Sequence, residues 1–428
     1  MSDASYADRV RALSERVVAA QRGIRVLDAI KWGEDVQAAF YASDCRELPK
    51  VDVDYYQRTP LAYDPVDARA AFRDIRRDIA AQLGRANPAG RLMDRMCDEY
   101  CEVLELLAAR GTPTFGEISK HLYGSASDAF HAGGPSVSDL ADSLDRALHA
   151  IDESAFLDRT AHDIPTPDAV AQLQQRLDRI FSEPGSRVCV TESDGIVADA
   201  AAGSDYIKLR KDVQFSERDL RVLEAHEGWV HVGTTLNGQR QPFCTFLAKG
   251  TPSTTITQEG LALLVEILAG VSHPTRLRRI TDRVHAIARA EAGANFVEVF
   301  DAMIARGRTR DEAYTTTVRV FRGSTAEGGP FTKDLAYHKG FVSIYSFMQI
   351  AVRRGRLDRI PLLFCGKLKL EDVGTLSDLV EQRLVVPPLY LPPPVADLNG
   401  LSAWLAYSSF LERLDLAQVE ADYARLLA

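Results

Sequence analysis

His226-Glu227-Gly228-Trp229-Val230-His231 and, 28 residues after its last histidine, Glu259 in Gln258-Glu259-Gly260-Leu261-Ala262 organise the reading of this 428-residue chain. Two imidazoles and a carboxylate form a ligand set with an open position, typical of hydrolytic zinc and also acceptable to iron(II) or manganese. A glutamate directly after the first histidine is where such zinc centres keep their general base. The common motif sets its histidines four apart, on one helical face. Here they are five apart, and at about 100° per residue they would diverge by about 140° on a regular α-helix. Three readings stay open: an inserted residue as in a π-bulge, which Gly228 would ease; a helix that ends near His231; or an accidental pair on a surface helix.

The flanking sequence is helical. Ser216-Glu217-Arg218-Asp219 reads as an N-cap with acidic residues in the first turn, so the histidines belong to a helix starting near Ser216. Asn237-Gly238 reads as the turn that closes it, and Gly250-Thr251-Pro252-Ser253 as a loop before the next element. Leu261, Leu264, Val265 and Ile267 then mark an apolar helix from Thr257 to about Gly270, with Glu259 in its first turn.

These residues resemble a known family. Ala225-His226-Glu227 to His231, Asn237-Gly238, Gln241-Pro242 and Gln258 to Ala262 are similar to the bacterial flavohaemoglobin expression-modulating QEGLA-motif proteins, relatives of the eukaryotic microtubule-associated tyrosine carboxypeptidases. A second block, Arg319-Val320-Phe321-Arg322-Gly323 with Gly328 to Asp334 and Tyr337, resembles the same family. The resemblance implies that His226, His231 and Glu259 hold zinc and that Glu227 is the catalytic base. The histidine spacing is also similar to that of dipeptidyl peptidase III. Gln258 and the long N-terminal segment follow the bacterial branch, which argues against tubulin as substrate.

Peptide hydrolysis at such a centre needs a donor for the developing oxyanion, and Tyr337 and His338 are the candidates. A carboxypeptidase also binds a free α-carboxylate, for which Arg319, Arg322 and Lys333 are the candidates, against the alternative of a solvated basic face. His121, His131, His149, His162, His273 and His285 have no partner at ligand spacing. Trp229 reads as core, and Cys97 and Cys101, one turn apart with no second pair, as buried thiols on a helix.

The net charge of −9 argues against a nucleic-acid partner. No apolar leader and no run of membrane length is seen, and six scattered cysteines are too few for a disulfide scaffold, so a cytoplasmic protein is expected. Oligomeric state is not legible.

The expected fold is α+β and mostly helical, in three parts. Residues 1–180 read as a helical region packing on the core, with helices at Val10 to Leu27, Asp67 to Leu83, Leu92 to Ala109, Val137 to Ile151 and Val170 to Ile180, and an extended aromatic connector from Asp52 to Pro65. Residues 181–385 read as a zinc-peptidase-like core with a small antiparallel sheet at 187–210 and a helix start at Arg308 to Asp311. Residues 386–428 read as a proline-rich connector, Val386 to Pro394, and final helices. The leading function is a zinc carboxypeptidase acting on a peptide or protein C-terminus. A zinc aminopeptidase or amidase, distinguished by carboxylates rather than cations beside the metal, and a non-catalytic regulator are the alternatives.

Overall fold

The computed structural model describes residues 5–149, 151, 162–194, 196, 198–416, 419, 420 and 423. Helices dominate, and their starts follow local chemistry. Ser5 accepts from the Asp8 N–H ahead of Tyr6–Ala20, and Asp64 and Asn87 cap Pro65–Leu83 and Pro88–Ala108, each with proline at the first helical position. Ser216 and Thr309 cap the helices expected at those places.

Several boundaries differ from the sequence expectation. The run from Val10 to Leu27 is two helices, Tyr6–Ala20 and Val26–Ala29, separated at Arg22-Gly23. The aromatic connector holds a short helix, Val53–Gln57, because Asp52 Oδ1 accepts from Tyr55 N–H at 2.9 Å. Its Tyr56 is buried, with its hydroxyl 2.7 Å from both Trp32 Nε1 and Gly323 N. The helix carrying Glu259 is Pro252–Leu268, starting five residues earlier than expected. Proline fits the first helical position, and Thr254 Oγ1 accepts from Thr251 N–H at 2.8 Å. Glu259 therefore sits two turns inside its helix, not in the first turn. Of the helix expected to reach Ile151, Val137–His149 is present; residues 150 and 152–161 lie outside the described residues.

The strands form two small sheets. Ile164–Pro165 (β1) pairs antiparallel with Gln214–Phe215 (β5), and Cys189–Ser193 (β2), Ala200–Ala202 (β3) and Tyr206–Arg210 (β4) lie in the order β2-β4-β3. β3 and β4 form an antiparallel pair around a tight turn in which Gly203 N–H donates to Tyr206 O. β2 lies on the other edge of β4 and runs parallel to it, so this sheet is mixed. The helix Thr166–Ile180 covers these strands through Leu173 and Leu177, which are fully buried with Ile207 and Leu209.

The main core joins the N-terminal helices to later ones, including the helix that carries Glu259: Val10, Leu13, Phe72 and Met93 pack in one cluster with Leu261, Leu264, Ile344 and Leu376. Cys97 is buried in it, where burial pushes its thiol up to about 12, and Cys101 is half-buried. Asn237 and Gly238 do not close their helix as a turn; they lie inside Gly233–Gln239. Asn237 Nδ2 donates to Phe364 O and Tyr390 O, both at 2.8 Å, and its Oδ1 accepts from Leu389 and Tyr390 N–H. Gln241 binds Val386 through both its N–H and C=O. The proline-rich segment is thus strapped across the helix that follows the histidines, extended up to Pro392 and helical at Pro393–Ala396.

Pro252–Leu268 crosses Ala336–Arg353 backbone to backbone. A Cβ at Gly260 would lie 2.1 Å from the Gly340 carbonyl carbon, and one at Gly340 would lie 2.0 Å from Ile256 O. Gly260→Ala is expected to destabilise the protein by about 3 kcal/mol or more through forced separation of the helices. Gly374→Ala, in a helix with nothing within 4 Å, is expected to be neutral or to stabilise by up to about 1 kcal/mol. Denaturant unfolding checks both, and equal midpoints for the two variants would show that the crossing tolerates a side chain.

Candidate metal centre

The helix bearing the histidines changes its winding at the motif. Glu217–Leu223 is α-helical, Glu224–Val232 is π-helical, and Gly233–Gln239 is α-helical again without a break. Gly233 N–H reaches back five residues to Gly228 O. Five residues now make about one turn, so His226 and His231 share a face with ring centroids 4.9 Å apart, edge to face at 81°. Of the three readings left open by the spacing, the inserted residue is the one adopted.

Side chains support the distortion. Thr234 Oγ1 and Thr235 Oγ1 donate to Val230 O and His231 O, each at 2.7 Å, adding side-chain hydrogen bonds at the end of the π segment. Gly228 supplies room rather than an unusual φ: a Cβ there would come 2.8 Å from Leu177 Cδ2. Trp229 is half-buried and tilted against Phe181.

Glu259 completes the cluster. Its Oε2 lies 3.5 Å from His226 Nε2 and 3.6 Å from His231 Nε2, and the three ligand atoms fall within 4.8 Å of one another. That oxygen is buried and has no hydrogen-bond partner. A buried, orphaned carboxylate oxygen facing two imidazole nitrogens fits a cation at their centre. The outer shell fits as well: His226 Nδ1 lies 2.6 Å from Glu266 Oε1, which leaves Nε2 to face the cluster. Arg276 in turn holds Glu266, at 2.8 and 3.2 Å. Burial opposes charge on His226, yet the carboxylates of Glu259, Glu266 and Glu227 hold its pKa up at about 10. These carboxylates make a local negative field at the His226 ring. Glu227 Oε1 lies 4.0 Å from His226 Nε2, on the rim of the same cluster.

The second sequence block supplies cations around this field. Lys333 Nζ binds Glu259 Oε1 at 3.0 Å. Burial opposes its charge, and the neighbouring Glu259 outweighs that and raises its pKa. Tyr337 stands over His226, ring centroids 6.2 Å apart, with Arg283 5.2 Å from its own ring centre. Arg319 is not a free cation: it forms a two-pronged pair with Asp334 at 2.6 and 3.0 Å. Arg322 is 4% exposed, its Nε has no partner, and its guanidinium lies 5.7 Å from the centre of the Phe331 ring. Burial, with Arg319 adding repulsion, pushes it down to about 10. His338 lies 3.5 Å from Thr281 Oγ1, and burial beside Arg283 pushes it down to about 4. Of the two oxyanion candidates, Tyr337 is the one whose ring packs against His226.

The microtubule-associated tyrosine carboxypeptidase family matches residues 38–413. The chain belongs to that family. Its function is therefore carboxypeptidase-related. No curated protein sequence matches the chain significantly. Among the described residues no helix is long and apolar enough to cross a membrane.

Sequence reasoning missed Glu266, Arg276, Arg283, Asp334 and Lys367. Glu266 had a signal, since it follows Glu259 by seven residues and so returns to within about 20° of the same helical face. Lys367 had none. It comes from a loop, its Cδ 3.3 Å from where a Gly250 Cβ would stand, and burial pushes it down to about 8 although Glu259 and Glu227 pull the other way. Asp334→Asn is expected to cost about 3 to 5 kcal/mol, because it leaves Arg319 buried without its counter-ion. Unfolding midpoints measure this, and a variant as stable as the parent would show the pair to be dispensable.

Proposed function

We propose that this chain is a zinc-dependent carboxypeptidase that releases one residue from the C-terminus of a peptide or protein. The observation that carries the reading is the buried, unpartnered Glu259 Oε2 set between the Nε2 atoms of His226 and His231. Zinc bound by these three residues would supply Lewis-acid polarisation of a carbonyl and acidification of water.

The remaining work falls to the chain's own groups. Glu227, beside the cluster, takes the proton of the attacking water and returns it to the leaving amine. Tyr337 donates its phenol hydrogen to the oxyanion as the carbonyl becomes tetrahedral. Arg322 receives the substrate's α-carboxylate, since Arg319 is already committed to Asp334 and Lys333 to Glu259. Arg276 and Glu266 orient His226.

The surroundings favour a carboxypeptidase over an aminopeptidase. Arg276, Arg283, Arg319, Arg322, Lys333 and Lys367 outnumber the carboxylates around them, which suits an anionic substrate terminus. A retained Glu227 counts against a purely regulatory role. The family name refers to microtubules and tyrosine, but Gln258 and the N-terminal segment resemble the bacterial branch, so tubulin is not the proposed substrate.

Purified protein is expected to bind one equivalent of zinc and to lose peptidase activity on chelation. Glu227→Gln should keep the metal and lose turnover by about 10² or more. A variant with parental turnover would place the base elsewhere. Peptides with an acetylated N-terminus should be cleaved and those with an amidated C-terminus spared; the opposite pattern would favour the aminopeptidase reading. Arg322→Met should raise KM by about 10- to 100-fold, the loss of a charge-assisted hydrogen bond to carboxylate, and an unchanged KM would remove Arg322 from the substrate site.

A further inference from the structure

Lys333 links the metal cluster to a second feature. Besides holding Glu259, it lines a cavity of about 150 Å³ whose walls include Ile24, Val26, Leu27, Val103 and Tyr123. Thr255, also in the lining, stands one turn before Glu259 on the same helix, so cavity and cluster lie along one helical face.

Apolar side chains make up the larger part of the lining, and the polar ones among them are occupied: Gln21 donates to Val18 O at 3.2 Å. Tyr100 donates its hydroxyl to Gly250 O at 3.0 Å, Thr255 donates to Thr251 O at 3.1 Å, and Lys333 is taken by Glu259. A charged guest would find no uncommitted counter-ion there. By volume the space suits one benzene-sized group, since a cavity of roughly 150 Å³ is known to take up benzene. Three of the wall residues, Ile24, Val26 and Leu27, precede residue 38, where the family match begins. They belong to a segment that is anchored: Arg110 donates to Ala29 O at 2.7 Å, and Ile30 is fully buried.

We infer that the segment around Ile24 to Leu27 completes the pocket for the side chain of the released residue, and that this pocket selects an uncharged apolar side chain of leucine to phenylalanine size. The inference rests on the carboxypeptidase reading and adds to it the substrate class and the element that sets it. The geometry is that of a wall contributed from outside the matched region to a pocket that opens beside a ligand residue. Substrate choice in this chain is thereby set by its own N-terminal segment.

The test uses the zinc-loaded protein and peptides identical except for a terminal alanine, leucine, phenylalanine, aspartate or lysine. The parent should favour leucine or phenylalanine over alanine by about 10- to 200-fold in kcat/KM, the discrimination available to an apolar pocket, and should disfavour aspartate and lysine. Leu27 is 42% exposed, so Leu27→Trp and Leu27→Ala should both fold. Leu27→Trp should lower the phenylalanine-to-alanine ratio at least tenfold, and Leu27→Ala should shift preference towards phenylalanine over leucine. A second readout avoids turnover: calorimetry on Glu227→Gln should detect free leucine or phenylalanine and not aspartate, and Leu27→Trp in that background should abolish the signal. Cleavage with ratios indifferent to both Leu27 variants, or a preference for charged termini, would overturn the pocket alone. Failure to cleave any peptide with a free carboxylate would overturn the carboxypeptidase reading and the pocket with it.

Discussion

Two imidazoles five residues apart can meet over one point only if the helix between them is rewound, and the rest of the centre is built around that requirement. The π segment from Glu224 to Val232 brings His226 and His231 onto one face. Thr234 and Thr235 add hydroxyl hydrogen bonds to Val230 O and His231 O, Gly228 lets Leu177 press against the widened turn, and Asn237 fastens the far end to the strap around Tyr390. A rewound helix is less favourable than a regular one, so it persists where surrounding contacts determine it from several sides.

The ionic groups around the histidines are arranged in alternating sign. Arg276 holds Glu266, Glu266 faces His226, His226 and His231 face Glu259, and Glu259 faces Lys333; beside this series Arg319 holds Asp334. Buried pairs of this kind add little net stability over apolar packing, because removing ions from water offsets most of their attraction. Their value is orientation. Each carboxylate has a neighbour that fixes its plane, and the oxygen left without one, Glu259 Oε2, points at the histidines.

How much of this was legible in the chain depended on the range of the interactions. Ser216 and Thr309 announced their helices because capping is settled within three residues, and the histidines and Glu259 came together as a group because their residue types carry the chemistry. The π winding was one of three open readings, since spacing states that a helix must be distorted without saying how. Long-range partners were not legible. Nothing near Arg319 says that Asp334 will neutralise it, nothing near β2 says that it will lie parallel to β4, and Lys367 enters from a loop with no pattern of its own. Asn237-Gly238 misled as a turn because the same two residues serve equally well as a side-chain clamp at Asn237 and, at Gly238, as a close approach to the Leu247 and Ala248 backbone, 2.5 Å from where a Cβ would stand. Tyr337 and His338 were equal candidates in the sequence, and their different neighbours, His226 for one and Thr281 for the other, come from helices distant in the chain.

Where Gly260 meets Gly340, main chain rests on main chain with no side chain between. Such a joint has no soft element to compress or rotate, so the distance between the two helices and the reach of the Glu259 carboxylate are a single mechanical quantity. Substitutions on the outer faces of either helix can accumulate without moving the Glu259 carboxylate, and the His226–His231–Glu259 cluster is insulated from drift in most of the sequence that surrounds it.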